Sequence, residues 1–418
     1  MEKKKLRRKV TILILLALLV FITSQCSYFF VYAEDTIINE SGYVKAHNTA
    51  LYDGNGNKLL LKGVNAGNLL LQEGWMSVTE INGSYEGDFC DVTMMKAMRN
   101  NPNLTESDIE ELLDVFYNTW WKESDFDKVK EIGLNCIRLP FAWNNLMNSD
   151  YTLKEDCFNY LDWFIDNCAR REIYVLLDLH AVPGSQNGQD HSGDNSQAIF
   201  FDTKEYMDEM VNLWTIVATH YKEQKYIMAY DILNEPQGGY KSGFTDSREW
   251  NYFDRLYKAI RSVDSNHIVS MCSCWEFANM PNPARYGWTN VMYQFHYYNW
   301  PHLPAWVFHA YKQLGRGYGN FNIPMMFGEF TCFDKEEEWT KTLDYFDSNG
   351  WSWAFWSYKS NRMGSWGLYE LDIYDRVDVA TASKEEIARV WGSTGTENAK
   401  PSVLYDIISN YMAKQNKK

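Results

Sequence analysis

Several familiar chemical signatures are missing from this sequence. It has no Cys-x-x-Cys pair and no His-Glu-x-x-His run, and His191, His220, His267, His302 and His309 are scattered without ligand spacing. A catalytic metal is therefore not expected. Ser185 lies outside any Gly-x-Ser-x-Gly elbow, which speaks against acyl transfer by serine. The stretch Gly63-Val64-Asn65-Ala66-Gly67 is too loose for the phosphate turn of an open dinucleotide-binding sheet. No Pro/Ser/Thr-rich linker or low-complexity run interrupts residues 45–415, so they read as one unit without an appended module. Bases are the scarce charge, with 40 Lys and Arg against 55 Asp and Glu. That balance argues against nucleic acid or an anionic membrane surface as a partner. The eight cysteines, several in apolar strand-like runs, read as small buried hydrophobes with few or no disulfides.

Aromatic residues are abundant: 17 Trp and 28 Tyr exceed the needs of a core. Flat indole and phenol rings bury well and also present apolar faces to ligands. At the N-terminus, Lys3, Lys4, Lys5, Arg7, Arg8 and Lys9 precede an apolar stretch from Val10, and Val31-Tyr32-Ala33 ends in small residues. Residues 1–33 are read as a secretory signal peptide cleaved after Ala33, with an uncleaved membrane anchor as the alternative. Cleavage removes those six bases and Glu2, taking the net charge from −15 to about −20. The remaining chain, residues 34–418, is expected to be a secreted monomer without a stable membrane partner or cofactor.

Short β-rich apolar runs alternate with amphipathic runs. The strand candidates are residues 59–65, 135–141, 174–180, 227–235, 267–274, 291–298, 324–330 and 351–359. Runs such as Tyr-Val-Leu-Leu-Asp-Leu suit strands buried on both faces. Helices are expected over 124–132, 154–171, 204–221, 250–263 and 335–347. Eight βα units are the number that closes a parallel barrel, so the expected fold class is α/β, a single (β/α)8 barrel. The first βα connection, residues 72–121, is elaborated and carries its own helical pattern over 106–117. Connections this long at a barrel mouth are usually functional.

Polar residues cluster at the strand ends: Arg138, Asp178 with His180, Asn234 with Glu235, His296 with Tyr298, Glu329, and Trp356 with Lys359. In a (β/α)8 barrel these ends converge on one face, where chemistry occurs. Asp178 and Lys359 read as structural members of this ring. Two carboxylates facing across a pocket suit glycoside hydrolysis, one giving a proton to the leaving oxygen and the other attacking the anomeric carbon. Their surroundings are expected to push their pKa values apart, with Arg138 keeping Glu329 ionised.

Asn234-Glu235-Pro236 after an apolar strand, and Gly328-Glu329-Phe330 later in the chain, resemble the two signatures of glycoside hydrolase family 5. Arg138, His180, His296, Tyr298 and Trp356 match its other active-site positions in order. The resemblance implies Glu235 as acid/base and Glu329 as nucleophile of a retaining enzyme. It also implies Asn234 on the sugar 2-hydroxyl, Arg138 and Tyr298 holding Glu329, His296 beside Glu235, His180 on the sugar, and Trp356 as its floor. The run from His180 to Gly188 with Ser192-Gly193 resembles the exo-β-1,3-glucanases of the family, as do Lys62–Asn65 and Glu73-Gly-Trp75. In those enzymes the acid matching Glu73 helps hold the terminal glucose. The departure is Gly67-Asn68-Leu69, where they carry Gly-Gly-Trp. The implied partner is a β-glucan polysaccharide or oligosaccharide. Endo-β-glucanase, mannan-active and β-glucosylceramidase-type activities of the same fold stay open, as does a non-catalytic sugar-binding barrel.

Overall fold

The computed structural model describes residues 36–39, 41–87, 89–237, 246–273, 280–298 and 321–415. The proposed signal segment, Cys274, His302 and His309 lie outside them. Eight parallel strands close in sequence order: β1 Lys62–Asn65, β2 Cys136–Ala142, β3 Tyr174–Ala181, β4 Ile227–Asp231, β5 Ile268–Ser273, β6 Val291–Tyr298, β7 Met325–Thr331 and β8 Ser352–Phe355. The expected (β/α)8 barrel is the observed fold.

Three strands are shorter than the apolar runs that announce them. Leu59 belongs to an antiparallel sheet of Lys45–His47, Ala50–Tyr52 and Lys58–Leu59 that precedes the barrel. Val44, Leu51 and Leu61 cluster with Cys136, Leu176, Met228, Ile268, Met292, Met326 and Ala354, so this sheet closes the lower barrel core. β4 stops at Asp231 because Asn234 N turns to Leu179 O and Glu235 takes a positive φ of 39°. β8 stops at Phe355, and Lys359–Asn361 pairs instead in a separate small sheet.

The helices follow apolar spacing. Helix Lys204–Tyr221 buries Met210, Leu213, Trp214, Val217, Ala218 and Tyr221, one stripe at helical period. Helix Glu106–Trp120 begins at a reciprocal cap in which Thr105 Oγ1 accepts from Asp108 N and Thr105 N donates to Asp108 Oδ2 at 2.9 Å. Helix Glu123–Ile132 ends at Gly133 with φ 96°, a left-handed stop. Helix Asn159–Arg170 starts five residues later than its pattern, after the turn over 155–158. Helices Asp91–Asn100, Lys384–Trp391 and Val403–Gln415 are additional to the expected set. Among the described residues no helix is long and apolar enough to cross a membrane. The six described cysteines, Cys90, Cys136, Cys157, Cys168, Cys272 and Cys332, are free thiols.

The first and last connections of the barrel are knitted together. Val377–Asp378 pairs with Thr79–Glu80, Arg376 Nε donates to Ser77 O at 3.1 Å, and Trp391 Nε1 donates to Thr79 Oγ1 at 3.0 Å. The long connection after β1 thus forms a braced wall beside the barrel mouth.

Candidate active site

The upper barrel interior is polar where the lower is apolar. Arg138, on β2, is fully buried and organises it. Its Nε donates to Asp231 Oδ2 at 3.0 Å, Nη1 to Glu329 Oε1 at 2.6 Å and Asn65 Oδ1 at 3.1 Å, and Nη2 to Asn234 Oδ1 at 2.7 Å. Nη2 also lies 3.0 Å from Asp178 Oδ1. Burial pushes Asp178 up to about 7 and Asp231 up to about 6, against the pull of Arg138.

Asp178 orients His180. His180 Nδ1 lies 2.6 Å from Asp178 Oδ2, and burial lowers the imidazole to about 3, so the ring is neutral. Nδ1 then donates to Asp178, and Nε2 accepts from Asn234 Nδ2 at 3.3 Å. His180 stacks 5.7 Å from Trp356. Gly67 makes room for that indole: a Cβ there would meet Trp356 Cζ2 at 2.9 Å.

Glu235 and Glu329 each present a carboxylate oxygen within 4.8 Å of the other. Tyr298 donates its hydroxyl to Glu329 Oε2 at 2.6 Å, opposite Arg138 on Oε1. Burial raises Glu329, but the His296 and Arg138 charges outweigh it and lower the group. His296 Nδ1 lies 2.6 Å from Glu235 Oε1, and His191 Nε2 lies 2.8 Å from Glu235 Oε2. Burial raises Glu235 as well, yet His191 and His296 hold it well below the usual carboxylate range. Burial opposes charge on both imidazoles, but their acidic neighbours prevail and hold them well above an ordinary histidine. The expected splitting of the two carboxyl pKa values, with the acid/base raised, is not what the surroundings produce. Both carboxyls are held below the ordinary carboxylate range, Glu235 further than Glu329. The positive φ of Glu235 adds backbone strain of about 1–3 kcal/mol, a feature that clusters at functional sites.

Among the described residues, Glu235, His296 and Glu329 are the one trio close enough to hold a metal. Their atoms are already engaged with one another, with Arg138 and with Tyr298, which is hydrogen-bond chemistry rather than a vacant ligand set.

Glu73 is buried beside this centre. Its Oε2 accepts from Trp75 Nε1 at 2.8 Å, its backbone N donates to Asn68 Oδ1 at 2.8 Å, and Oε1 has no hydrogen-bond partner. Burial pushes its carboxyl up to about 8, so it is protonated at neutral pH. All nine residues singled out from the sequence are therefore placed at the barrel mouth. His191, set aside for want of ligand spacing, joins them. Its signal lay in its loop: Asn187 Nδ2 donates to Glu235 O at 3.2 Å and lies 3.0 Å from His191 Nε2. Lys359 lies elsewhere, fully buried, with Nζ donating to Trp120 O and to Thr396 Oγ1, which fits its structural reading.

A closed parallel barrel with a buried, cation-supported carboxylate pair at its mouth is the architecture of a barrel glycosidase. Residues 96–362 match the family model described as Cellulase (glycosyl hydrolase family 5), and the chain belongs to that family. It is 32% identical over 269 residues to a β-xylosidase of Phanerodontia chrysosporium, covering 63% of this chain and 53% of the relative. It is 30% identical over 170 residues to a glucan 1,3-β-glucosidase of Pichia angusta, covering 40% of this chain and 38% of the relative. The chain therefore spans only about half, or less, of the length of these two relatives. A β-glucanase of Saccharophagus degradans, solved with cellotetraose, shares the fold at TM-score 0.56 and 14% identity, covering 91% of this chain and 95% of that one. A rutinosidase of Aspergillus niger shares it at TM-score 0.55 and 17% identity, covering 72% and 90%.

Proposed function

We propose that the protein is a secreted, retaining β-glycosidase that removes sugars from β-glucan, with β-1,3 linkages favoured, by double displacement. The observation that carries this reading is the approach of two buried carboxylates within 4.8 Å. Carboxyl groups about 5–5.5 Å apart leave no room for an intervening water and favour a covalent intermediate. Glu329 attacks C1 as the glycosidic C1–O bond breaks, and Arg138 and Tyr298 hold it for that attack. The adjacent imidazole of His191 or His296 protonates Glu235, which passes that proton to the departing oxygen and is left ionised. In the second half, Glu235 takes a proton from water, whose oxygen bonds C1 and releases Glu329. Asn234 binds the 2-hydroxyl, His180 and Glu73 hold the ring's other hydroxyls, and Trp356 supports its face.

Action at chain ends is supported by the bracing of the first connection, which carries Glu73 and Trp75, against the last one. The relatives named for β-xyloside and 1,3-β-glucan substrates support a β-linked sugar. Export is supported by the basic and then apolar N-terminal run. Laminarin, carboxymethylcellulose, mannan and aryl β-glucosides form the deciding panel. Laminarin should release monosaccharide from the first minutes. Glu329→Ala should cut turnover by several orders of magnitude, and a loss under tenfold would remove Glu329 from its role. Glu235→Gln should lose far more on laminarin than on a dinitrophenyl glucoside, whose leaving group needs no proton.

A further inference from the structure

Four aromatic rings meet beside Glu329. Trp366, from the connection after β8, lies edge-on to Trp75 at 4.9 Å, tilted to Tyr298 at 5.9 Å, and edge-on to Phe333 at 5.3 Å. All four are half-buried, and they come from four separate segments of chain. A core would enclose such a cluster, whereas this one stands at the mouth, one hydrogen bond from the attacking carboxylate.

We propose that Trp366 is the specificity-determining residue for the substituent at C5 of the sugar bound at Glu329, and that its apolar corner admits β-pentosides alongside β-hexosides. This rests on the roles proposed above for Glu329 and Asn234. In a pyranose, C1 has two ring neighbours, C2 and the ring oxygen. Arg138 joins Asn234 Oδ1 (2.7 Å) to Glu329 Oε1 (2.6 Å), so the 2-hydroxyl side of the sugar lies over Oε1. The ring oxygen, and C5 beyond it, then lie over Oε2, the oxygen held by Tyr298. C5 therefore points at the Tyr298–Trp366 corner.

The chemistry of that corner sets how strictly it selects. The Tyr298 hydroxyl is committed to Glu329, the Trp75 indole N–H to Glu73, and Phe333 has no polar side-chain atom, so these three rings meet the sugar through ring carbon. A site built to hydrogen-bond a hydroxyl rejects an analogue lacking it by about 10⁴–10⁵-fold, whereas an apolar pocket discriminates one carbon by only about 10–200-fold. The hydroxymethyl of a hexose and the hydrogen of a pentose differ here by the second kind of contact. The indole of Trp366 borders the space towards which the hydroxymethyl would project, so trimming it should relieve the larger substituent.

The test compares kcat/KM for 4-nitrophenyl β-xyloside and 4-nitrophenyl β-glucoside on the full-length enzyme. The wild-type values should lie within about 200-fold of each other. Trp366→Ala should move the ratio at least about tenfold towards the glucoside, and Trp366→Phe should move it less in the same direction. The ratio comes from one preparation, so a partly unfolded variant does not disturb it. A wild-type xyloside rate more than about 200-fold below the glucoside would overturn the proposal, as would a ratio that Trp366→Ala leaves unmoved while both rates fall together. Turnover of neither substrate would sink the glycosidase reading itself. Turnover of both with an insensitive ratio would sink only the role of Trp366.

Discussion

Replacing Arg138 with Met should cost stability in a strongly pH-dependent way. The guanidinium is fully buried and faces Asp178, Asp231 and Glu329 at 3.0, 3.0 and 2.6 Å. Its loss strands three carboxylates in a medium that solvates them poorly. Removing one partner of a buried ion pair costs about 3–5 kcal/mol, and the variant escapes part of that by protonating its carboxyls. Asp178 and Asp231 already stand at about 7 and about 6 with Arg138 present. Without it their folded pKa values rise further above the unfolded ones. The folded state then binds more protons than the unfolded state over a wider range, so stability falls as pH rises. Urea denaturation followed by tryptophan fluorescence should show a loss of about 3–5 kcal/mol at pH 8 and a clearly smaller loss at pH 5. Turnover should collapse at both pH values because Glu329 loses its anchor. A loss under about 1 kcal/mol at pH 8, or equal losses at both pH values, would refute the electrostatic reasoning and leave Arg138 as packing alone.

Glu73 titrates near 8 in the folded protein, above its unfolded value, so the stability it contributes is lost as pH rises from about 4.5 to 8. Glu73→Gln should flatten that part of the stability–pH profile, as thermal melts across the range will show. Lys359 is depressed to about 7 by burial, so its cost is full below pH 7 and is relieved as pH climbs towards its unfolded value. The stability of the wild type relative to Lys359→Met should therefore improve between pH 7 and 9, measured by urea titration. Asn234→Ala should lower kcat more than it raises KM, because a 2-hydroxyl contact strengthens in the transition state. The loss should shrink on a 2-deoxyglucoside, and an equal loss on both substrates would remove the contact.

The barrel was legible because its information is local. Apolar runs such as Tyr174–Ala181 declare strands buried on both faces, and a helix such as Lys204–Tyr221 declares one buried stripe. The nine site residues were legible for the same reason, since each lies at or just beyond a strand or in a short signature. Strand ends were less so. Leu59 and Lys359 are as apolar or as strand-like in context as their neighbours, and only pairing partners far away in the chain draw them into other sheets.

From the sequence alone came the eight alternating units, the two acids on strands four and seven, and the family they resemble. Tertiary structure decided which charges press on the two carboxyls, that His191 reaches Glu235 at 2.8 Å, and that Trp75, Tyr298, Phe333 and Trp366 share one corner. Periodicity is a property of neighbouring residues and survives in a string of letters. A pKa or a pocket wall depends on groups tens to hundreds of residues apart, and it exists only once the closed barrel brings them within a few ångströms.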